Sequence, residues 1–212
     1  VGDSLDATLS KEVEAMYGET DLLIFQLDSR TGFSNDLDMN LTTAFGESLL
    51  AAGLADEWSH GLDTTITLSR DDGLSLPSAG WYAYPAWDGV SINQVASDEL
   101  DLDEGDLIEI AWYTYSDSGE LIRFTDNLTI DSVISMEGRG SIRGTKSPAM
   151  FTSLELSQQL QSKDWSVNML RVSLQSGIDA SESITDVELI FDQLIDAEAA
   201  GFEVNIDGDA MS

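Results

Sequence analysis

The chain has 212 residues and carries 40 Asp and Glu residues against nine Lys and Arg, which gives a formal net charge of −31 at pH 7. A surface this negative repels nucleic acid and anionic lipid and attracts cations, so the composition argues against both classes of partner. The absence of cysteine excludes disulfides, thiol nucleophiles and cysteine-ligated metal sites, while 42% hydrophobic residues are enough for an ordinary core.

Features of the sequence also bear on where the protein works. No apolar run approaches the roughly 18 residues that a membrane-spanning helix needs. The first residues, Val1-Gly2-Asp3-Ser4, are typical of what remains after a leader has been removed from a secreted chain. The sequence therefore predicts an extracellular, cell-surface protein that does not insert into the membrane.

The first third of the chain alternates helical and extended patterns. In chain order they predict a helix over residues 4–17, a strand over 21–28, a helix over 43–53 and a strand over 63–70. We expect Thr42 or Thr43 to cap the second helix and Gly53 to end it. A turn is predicted at Asp71-Asp72-Gly73.

The rest of the chain contains the strongest hairpin signal, two alternating strands over 107–115 and 120–130 around Ser116-Asp117-Ser118-Gly119. Further along, the patterns predict a strand or a helix over 153–161, a strand over 167–174, a helix over 184–200 and a strand over 202–206. The segment 137–148 is rich in Gly and Ser and is the expected boundary. We therefore predict an α+β fold with domains at 1–136 and 149–212, joined by the connector 137–148.

Within residues 21–115 the order of motifs is that of a known family. The motifs are the helix end Leu49-Leu50-Ala51-Ala52-Gly53, the aromatic strand Gly80-Trp81-Tyr82-Ala83-Tyr84, Asp88-Gly89, Ile92-Asn93, and Leu102-Asp103-Glu104-Gly105-Asp106 leading into Ile108 to Tyr113. With these motifs the segment resembles the transcobalamin C-terminal-like β-grasp family of secreted and surface proteins. The resemblance implies a β-grasp-like N-terminal portion, a smaller α+β C-terminal portion and an exported context. The vitamin binding of one branch is not implied, because no ligand-contacting residue matches.

No motif for catalysis stands out. His60, the single histidine, is predicted to be an ordinary solvated residue in a loop between a helix and a strand. The sequence contains no P-loop, dinucleotide fingerprint or HExxH motif. A carboxylate pair for glycoside hydrolysis stays open, since 40 acidic residues offer many pairs. The expectation is that the protein is not an enzyme.

A dense acidic segment is the candidate cation site. Six carboxylates fall within nine residues and offer the hard oxygen ligands that calcium prefers: Asp98, Glu99, Asp101, Asp103, Glu104 and Asp106. Residues 71–122 contain twelve acids and no Lys or Arg, so no local neutraliser is expected. Segments 35–38 and 205–209 are weaker candidates. The alternatives are a solvated acidic surface with diffuse counterions, or adaptation to high salt.

Three basic residues cluster in the connector: Arg139, Arg143 and Lys146. One hypothesis is that they dock on the acidic 98–106 segment of a neighbouring copy. Contacts between unlike patches propagate into rings or filaments. The alternative is a flexible linker whose charges are solvated.

Aromatic residues and sequons complete the candidate sites. Alternation directs Trp112 into the core and Tyr113 and Tyr115 to the opposite face, where exposed aromatics could contact a glycan or a small ligand. Asn40 and Asn127 each begin an N-glycosylation sequon.

Taken together, these features predict a non-catalytic extracellular structural protein. It would assemble with itself, as a homo-oligomer or polymer, or join a cell-surface layer, sheath or filament, with cations such as calcium screening the acidic contacts. The alternative is a secreted β-grasp module that binds a small ligand or glycan.

Overall fold

The computed structural model describes residues 20–25, 36–115, 119–136 and 147–194, and the backbone of 205–207. In chain order the elements are β1 (Leu22–Phe25), β2 (Leu37–Asp38), α1 (Met39–Ala51), β3 (Ala55–Gly61), β4 (Thr64–Ser69), β5 (Ser75–Tyr84), β6 (Val90–Asn93), α2 (Gln94–Leu100), β7 (Leu107–Tyr115), β8 (Leu121–Thr129), β9 (Ser132–Ile134), β10 (Ala149–Ser153), α3 (Leu154–Gln161), β11 (Ser166–Val167), β12 (Met169–Leu174), α4 (Ala180–Leu194) and β13 (Asn205–Asp207). This mixture of helices and sheets confirms the predicted α+β class.

The described residues form two compact units. Unit 1 contains those within Asp63–Ser153, and unit 2 contains those within Glu19–Leu62 and Leu154–Ser212. Unit 1 is thus inserted in the sequence of unit 2, which differs from the predicted division into 1–136 and 149–212. The segment 21–115, expected to form one β-grasp-like portion, contributes its first part to unit 2 and its remainder to unit 1.

Unit 2 is built on an antiparallel sheet with the strand order β13-β1-β12-β3. Leu22 and Ile24 of β1 lie on the face that packs against helices α1 and α4, where Phe45 meets Phe191 edge to face with ring centroids 5.1 Å apart. Leu170 and Val172 of β12 belong to the same buried cluster. Two short strands, β2 and β11, form a separate antiparallel pair.

Helix α1 begins four residues before the predicted start. Its N-cap is Asp38, whose carboxylate accepts hydrogen bonds from the backbone N–H groups of Asn40 at 2.8 Å and Leu41 at 3.2 Å. The prediction of Thr42 or Thr43 as the cap was wrong, because a carboxylate one turn earlier satisfies the free N–H groups of the first turn. The predicted stop is confirmed: Gly53 follows the last turn with φ of +70°, a conformation that favours glycine.

Unit 1 is a mixed seven-stranded sheet in the order β8-β7-β4-β5-β10-β6-β9. The predicted hairpin is confirmed, since β7 and β8 pair antiparallel over nine residues from Leu107 opposite Thr129 to Tyr115 opposite Leu121. Strand β10 lies parallel to β5 and antiparallel to β6. Trp81 of β5 is fully buried, and its indole N–H donates to the hydroxyl of Thr152 on β10 at 2.8 Å.

Most of the other predicted elements are present with shifted bounds. The strands expected over 21–28, 63–70, 167–174 and 202–206 correspond to β1, β4, β12 and β13, and the ambiguous segment 153–161 is helical from Leu154. The helix predicted over 184–200 begins earlier, at Ala180. The predicted helix over 4–17 and most of the connector 137–148 lie outside the described residues.

Candidate functional site

The acidic segment 98–106 runs from the end of helix α2 into the loop before β7. Asp101 ends the helix in the left-handed conformation, with φ of 53°. The carboxylate of Asp98 accepts a hydrogen bond from the side-chain amide of Gln94 at 2.7 Å. The carboxylate of Asp106 accepts from the backbone N–H of Asp103 at 2.8 Å. Several of these groups therefore already have partners within their own turns.

Two arginines that flank the acidic stretch in sequence fold back onto it. Arg70 lies 3.3 Å from the carboxylate of Asp101 and 2.6 Å from that of Asp72. Arg123 lies 3.8 Å from Glu109. The expectation that residues 71–122 have no local neutraliser was therefore wrong, because the sheet brings together residues that are distant in the sequence.

The contact with Arg70 changes the pKa of Asp72. The hydrogen bond from the guanidinium, helped by one from the backbone N–H of Leu74, lowers the pKa of Asp72 to about 2. The same hydrogen bond raises the pKa of Arg70. Both members of this pair are therefore charged at neutral pH.

In the part of the chain that the structure describes, no set of metal ligands is brought together. Among the described residues, no three or more His, Asp and Glu side chains are grouped closely enough to hold a metal ion. The carboxylates of Asp98, Asp101 and Asp106 instead make the separate local contacts given above. Calcium at the 98–106 segment stays a prediction, as does its alternative of diffuse counterions.

His60 does not lie in a solvated loop. It is in strand β3, is only 7% exposed, and its Nε2 lies 2.8 Å from the hydroxyl of Thr42 on helix α1. The Trp58 ring meets it edge to face, with ring centroids 5.1 Å apart. Burial lowers the pKa of the imidazole. The loop prediction was wrong because strand β3 begins soon after the helix stop and places the imidazole against Thr42 of α1 and the Trp58 ring.

The aromatic residues divide as the alternation predicted. Trp112 is buried and meets Trp81 edge to face, with centroids 5.7 Å apart, whereas Tyr113 and Tyr115 on the opposite face are about half exposed. The second aromatic group, Tyr84 and Trp87, packs with Phe151 inside unit 1. Core packing therefore accounts for the tryptophans and not for the two tyrosines.

The far part of the β7–β8 hairpin carries an apolar surface that sequence reasoning missed. It consists of the side chains of Tyr113, Tyr115, Leu121, Ile122 and Phe124, which are 40% to 55% exposed, and we call it the hairpin surface. The available signal was the pair of adjacent apolar residues Leu121 and Ile122, because neighbours in a strand point to opposite faces. At the end of β8 formed by residues 121–124, apolar side chains therefore lie on both faces.

Asn93 is a second polar residue whose role only the structure reveals. It is completely buried at the junction of β6 and α2. Its side-chain oxygen accepts hydrogen bonds from the backbone N–H groups of Ala96 and Ala149, both at 3.1 Å. Its amide donates to the carbonyl of Ser147 at 2.8 Å. Asn93 therefore joins the start of a helix to a strand more than fifty residues away.

Three kinds of predicted site remain: the basic cluster of the connector, the two sequons and the weaker cation candidate at 35–38. Arg139, Arg143 and Lys146 lie outside the described residues, so their docking role stays a prediction. Asn40 and Asn127 are exposed, and glycosylation there stays a prediction. In the weaker candidate segment 35–38, Asp36 forms an ion pair with Lys163 at 2.7 Å and Asp38 caps helix α1.

None of the described helices combines the length and the apolar composition that crossing a membrane requires. Neither a family model nor a curated protein sequence matches the chain. Solved structures are similar to it, including the two that follow. One is the periplasmic region of MacB from Actinobacillus actinomycetemcomitans, with a TM-score of 0.54 and 10% sequence identity over 96% of this chain and 95% of that chain. The other is the extracellular domain of the noncanonic ABC-type transporter YknZ from Gram-positive bacteria, with a TM-score of 0.53 and 8% identity over 88% of this chain and 98% of that chain. At these identities the likeness shows a shared fold.

Proposed function

We propose that this chain is an extracytoplasmic, non-catalytic domain of a transporter-type membrane assembly, in which it makes contacts with other proteins. The observation that carries the proposal is the likeness over nearly the whole length to a periplasmic region and to the extracellular domain of an ABC-type transporter. A match of 95% or more of each of those chains means that the fold corresponds as a complete unit and not as a common fragment.

The path of the chain through unit 2 supports this role. Strands β1 and β13 are antiparallel neighbours, with Leu23 opposite Asp207. The chain therefore arrives at β1 and departs from β13 at the same end of one sheet. A domain carried by two membrane segments needs this geometry, because both connections must approach the bilayer from the same side.

The chemistry of the described residues supports a binding role over catalysis. His60, the single histidine, is buried and bonded to Thr42, so it is committed to the packing of unit 2. The exposed apolar side chains of the hairpin surface are instead the kind of group that protein contacts use.

Cysteine accessibility tests the location directly, because the chain has no cysteine of its own. The full-length natural protein would be expressed in its source cells with Glu99→Cys or with Ser97→Cys. Both residues are in helix α2, but Glu99 is exposed and Ser97 is buried. We expect a membrane-impermeant maleimide to label the Glu99→Cys protein in intact cells, and the Ser97→Cys protein only after denaturation.

The membrane fraction supplies the second half of the test. A transporter-type component should stay with the membranes after a high-salt wash and be released by detergent. Labelling of Glu99→Cys only after lysis would contradict an extracytoplasmic location. Labelled protein that is free in the medium would contradict the membrane assembly.

Self-assembly into a layer or filament, with cations at the acidic contacts, stays a prediction, as does binding of a glycan or small ligand by a β-grasp module. Size-exclusion chromatography of the purified chain with calcium or with a chelator, at low and high salt, separates them. Large calcium-dependent assemblies would favour the first, and a monomer under all four conditions would contradict it.

A further inference from the structure

The β7–β8 hairpin extends past its neighbour in the sheet of unit 1. Among the described residues, β4 pairs with β7 only from Glu109 to Ala111, whereas β7 and β8 pair with each other as far as Tyr115 and Leu121. Residues 112–115 and 121–124 therefore form a two-stranded ribbon. Trp112 anchors the base of this ribbon, because it is buried and packs against Trp81 of β5.

Both faces of this ribbon carry apolar side chains. Tyr113 and Tyr115 lie on one face together with Leu121, which is directly opposite Tyr115. The other face carries Ile122 and Phe124, the latter stacked on Trp112 with ring centroids 5.8 Å apart. Exposed apolar side chains grouped at the end of a hairpin are the kind of group that protein contacts use.

Strand β8 also has an open backbone edge. In the described part of the chain its one strand neighbour is β7, so its other side can pair with a further strand. The backbone N–H of Asn127 already donates to the side chain of Asp126 at 2.7 Å. Natural edge strands are usually blunted by proline, lysine, a bulge or short length. The nine residues of β8, LIRFTDNLT, contain neither proline nor lysine and pair in unbroken register.

Charge indicates which kind of strand would bind. The described residues of unit 1 include fourteen Asp and Glu and two Arg. One of these arginines, Arg123 on β8 itself, is held by Glu109. A second copy of this chain would bring an equally acidic surface to the edge, so charge repulsion works against it. A segment with lysine or arginine alternating with apolar residues would meet opposite charge and apolar side chains together.

We propose that β8 binds an extended, basic and apolar segment of a partner protein, which adds to the sheet as a further strand. Main-chain hydrogen bonds along the edge would supply affinity, and the hairpin surface would receive the apolar side chains of the segment. This inference depends on the proposed function in one respect only: the proposed function places the partner protein outside the cytoplasm. The binding test below uses purified protein and does not depend on location.

The test uses the 212-residue chain and defined peptides of about seven residues, the length of a typical strand. In three peptides valine alternates with lysine, with serine or with glutamate. A fourth is the lysine peptide with its central valine replaced by proline, which keeps the charge and removes a main-chain donor. Fluorescence anisotropy of labelled peptides at about 0.15 M salt measures binding.

Two double variants provide matched proteins. Leu121→Lys with Ile122→Lys changes residues of the hairpin surface that are 55% and 40% exposed. Leu189→Lys with Leu194→Lys changes residues of α4 that are 53% and 39% exposed and adds the same charge elsewhere. Circular dichroism and thermal unfolding establish that both variants are folded.

We expect the lysine peptide to bind the natural chain about ten-fold or more tighter than the serine, glutamate and proline peptides do. The β8 variant should lose about ten-fold in affinity, and the α4 variant should stay within about two-fold of the natural chain.

Four results would overturn the proposal. Absence of lysine-peptide binding at millimolar concentration would do so, as would equal binding of the lysine and proline peptides, which would indicate charge attraction alone. A concentration-dependent dimer that the β8 substitutions abolish would make a second copy the occupant. If the lysine peptide bound only after residues 1–18 were removed, the occupant of the β8 edge would be residues 1–18 of the same chain.

Discussion

Replacing Asn93 with alanine should destabilise unit 1 far more than the loss of one polar side chain from the surface would. Asn93 is completely buried and makes three hydrogen bonds, to the backbone of Ala96, Ala149 and Ser147. The first caps helix α2, and the other two hold the start of β10 beside β6. Alanine can make none of them.

The magnitude follows from what each partner loses. The buried N–H of Ala149 would be left without an acceptor, which costs about 1–3 kcal/mol, and the lost cap at Ala96 costs about 1 kcal/mol. The carbonyl of Ser147 is nearer to solvent and adds less, because water can replace the amide. We expect the free energy of unfolding of unit 1 to fall by about 3 kcal/mol.

Urea unfolding measures this loss. Unit 1 contains Trp81, Trp87 and Trp112, so a background in which Trp58 and Trp165 are phenylalanine reports unit 1 by fluorescence. Asn93→Ser is the graded variant, since its hydroxyl can still cap the helix and should recover about 1 kcal/mol.

Asn127→Ala is the matched control for Asn93→Ala. It removes an exposed asparagine of the same unit and should stay within about 0.5 kcal/mol of the natural chain. Equal losses for Asn93→Ala and Asn127→Ala would refute the assignment of Asn93 as the link between α2 and β10.

Three further predictions concern buried or paired groups. Burial lowers the pKa of His60 below 6.5 in the folded protein, so the unfolded chain binds a proton first as the pH falls. The free energy of unfolding should therefore decrease below about pH 6.5 and level off below the folded pKa. A His60→Gln variant with the same pH dependence would contradict this. Gly46→Ala should destabilise unit 2 by about 1–3 kcal/mol in urea unfolding, because a Cβ there would strike the Trp58 ring, whereas helix propensity alone would stabilise the helix by about 1 kcal/mol. Arg70→Gln should raise the pKa of Asp72 from about 2 towards 3.8 in an NMR titration of its carboxyl carbon. In the natural chain this pair contributes to stability above pH 3.8, and the contribution is lost as the pH falls through about 2; the variant should lack it at every pH. An unchanged titration would contradict the pairing.

The sequence predicted well those structural features that depend on residues close together in the chain. The β7–β8 hairpin, the inward side of Trp112 and the stop at Gly53 all follow from alternation or from one residue's conformational freedom. Each involves residues within one element or two adjacent ones. The α+β class follows in the same way, because it requires only that helices and strands exist.

What failed depends on residues brought together from distant parts of the chain. His60 lies in β3, which pairs with β12 more than a hundred residues later, and its imidazole contacts Thr42 of α1. Asp101 is neutralised by Arg70, and Asn93 is bonded to residues 147 and 149. No local sequence pattern at His60, Asp101 or Asn93 indicates these partners. The composition of the surrounding segment therefore did not predict the burial or the contacts of these three residues.

The unit boundaries show the same limit for domain organisation. The Gly- and Ser-rich segment 137–148 was expected to separate domains, but it joins β9 to β10, and both strands belong to unit 1. The actual boundaries fall at Leu62, which is fully buried, and between Ser153 of β10 and Leu154 of α3, where one element follows the other directly. A chain that leaves a unit and later returns to it needs no flexible linker at either crossing. Here strands β3 and β4 flank the first crossing, and strand β10 and helix α3 flank the second. Gly- and Ser-rich composition was therefore a poor guide to the unit boundaries, and the inserted unit is recognised only when β3 and β12, the strands on either side of it, are seen to pair.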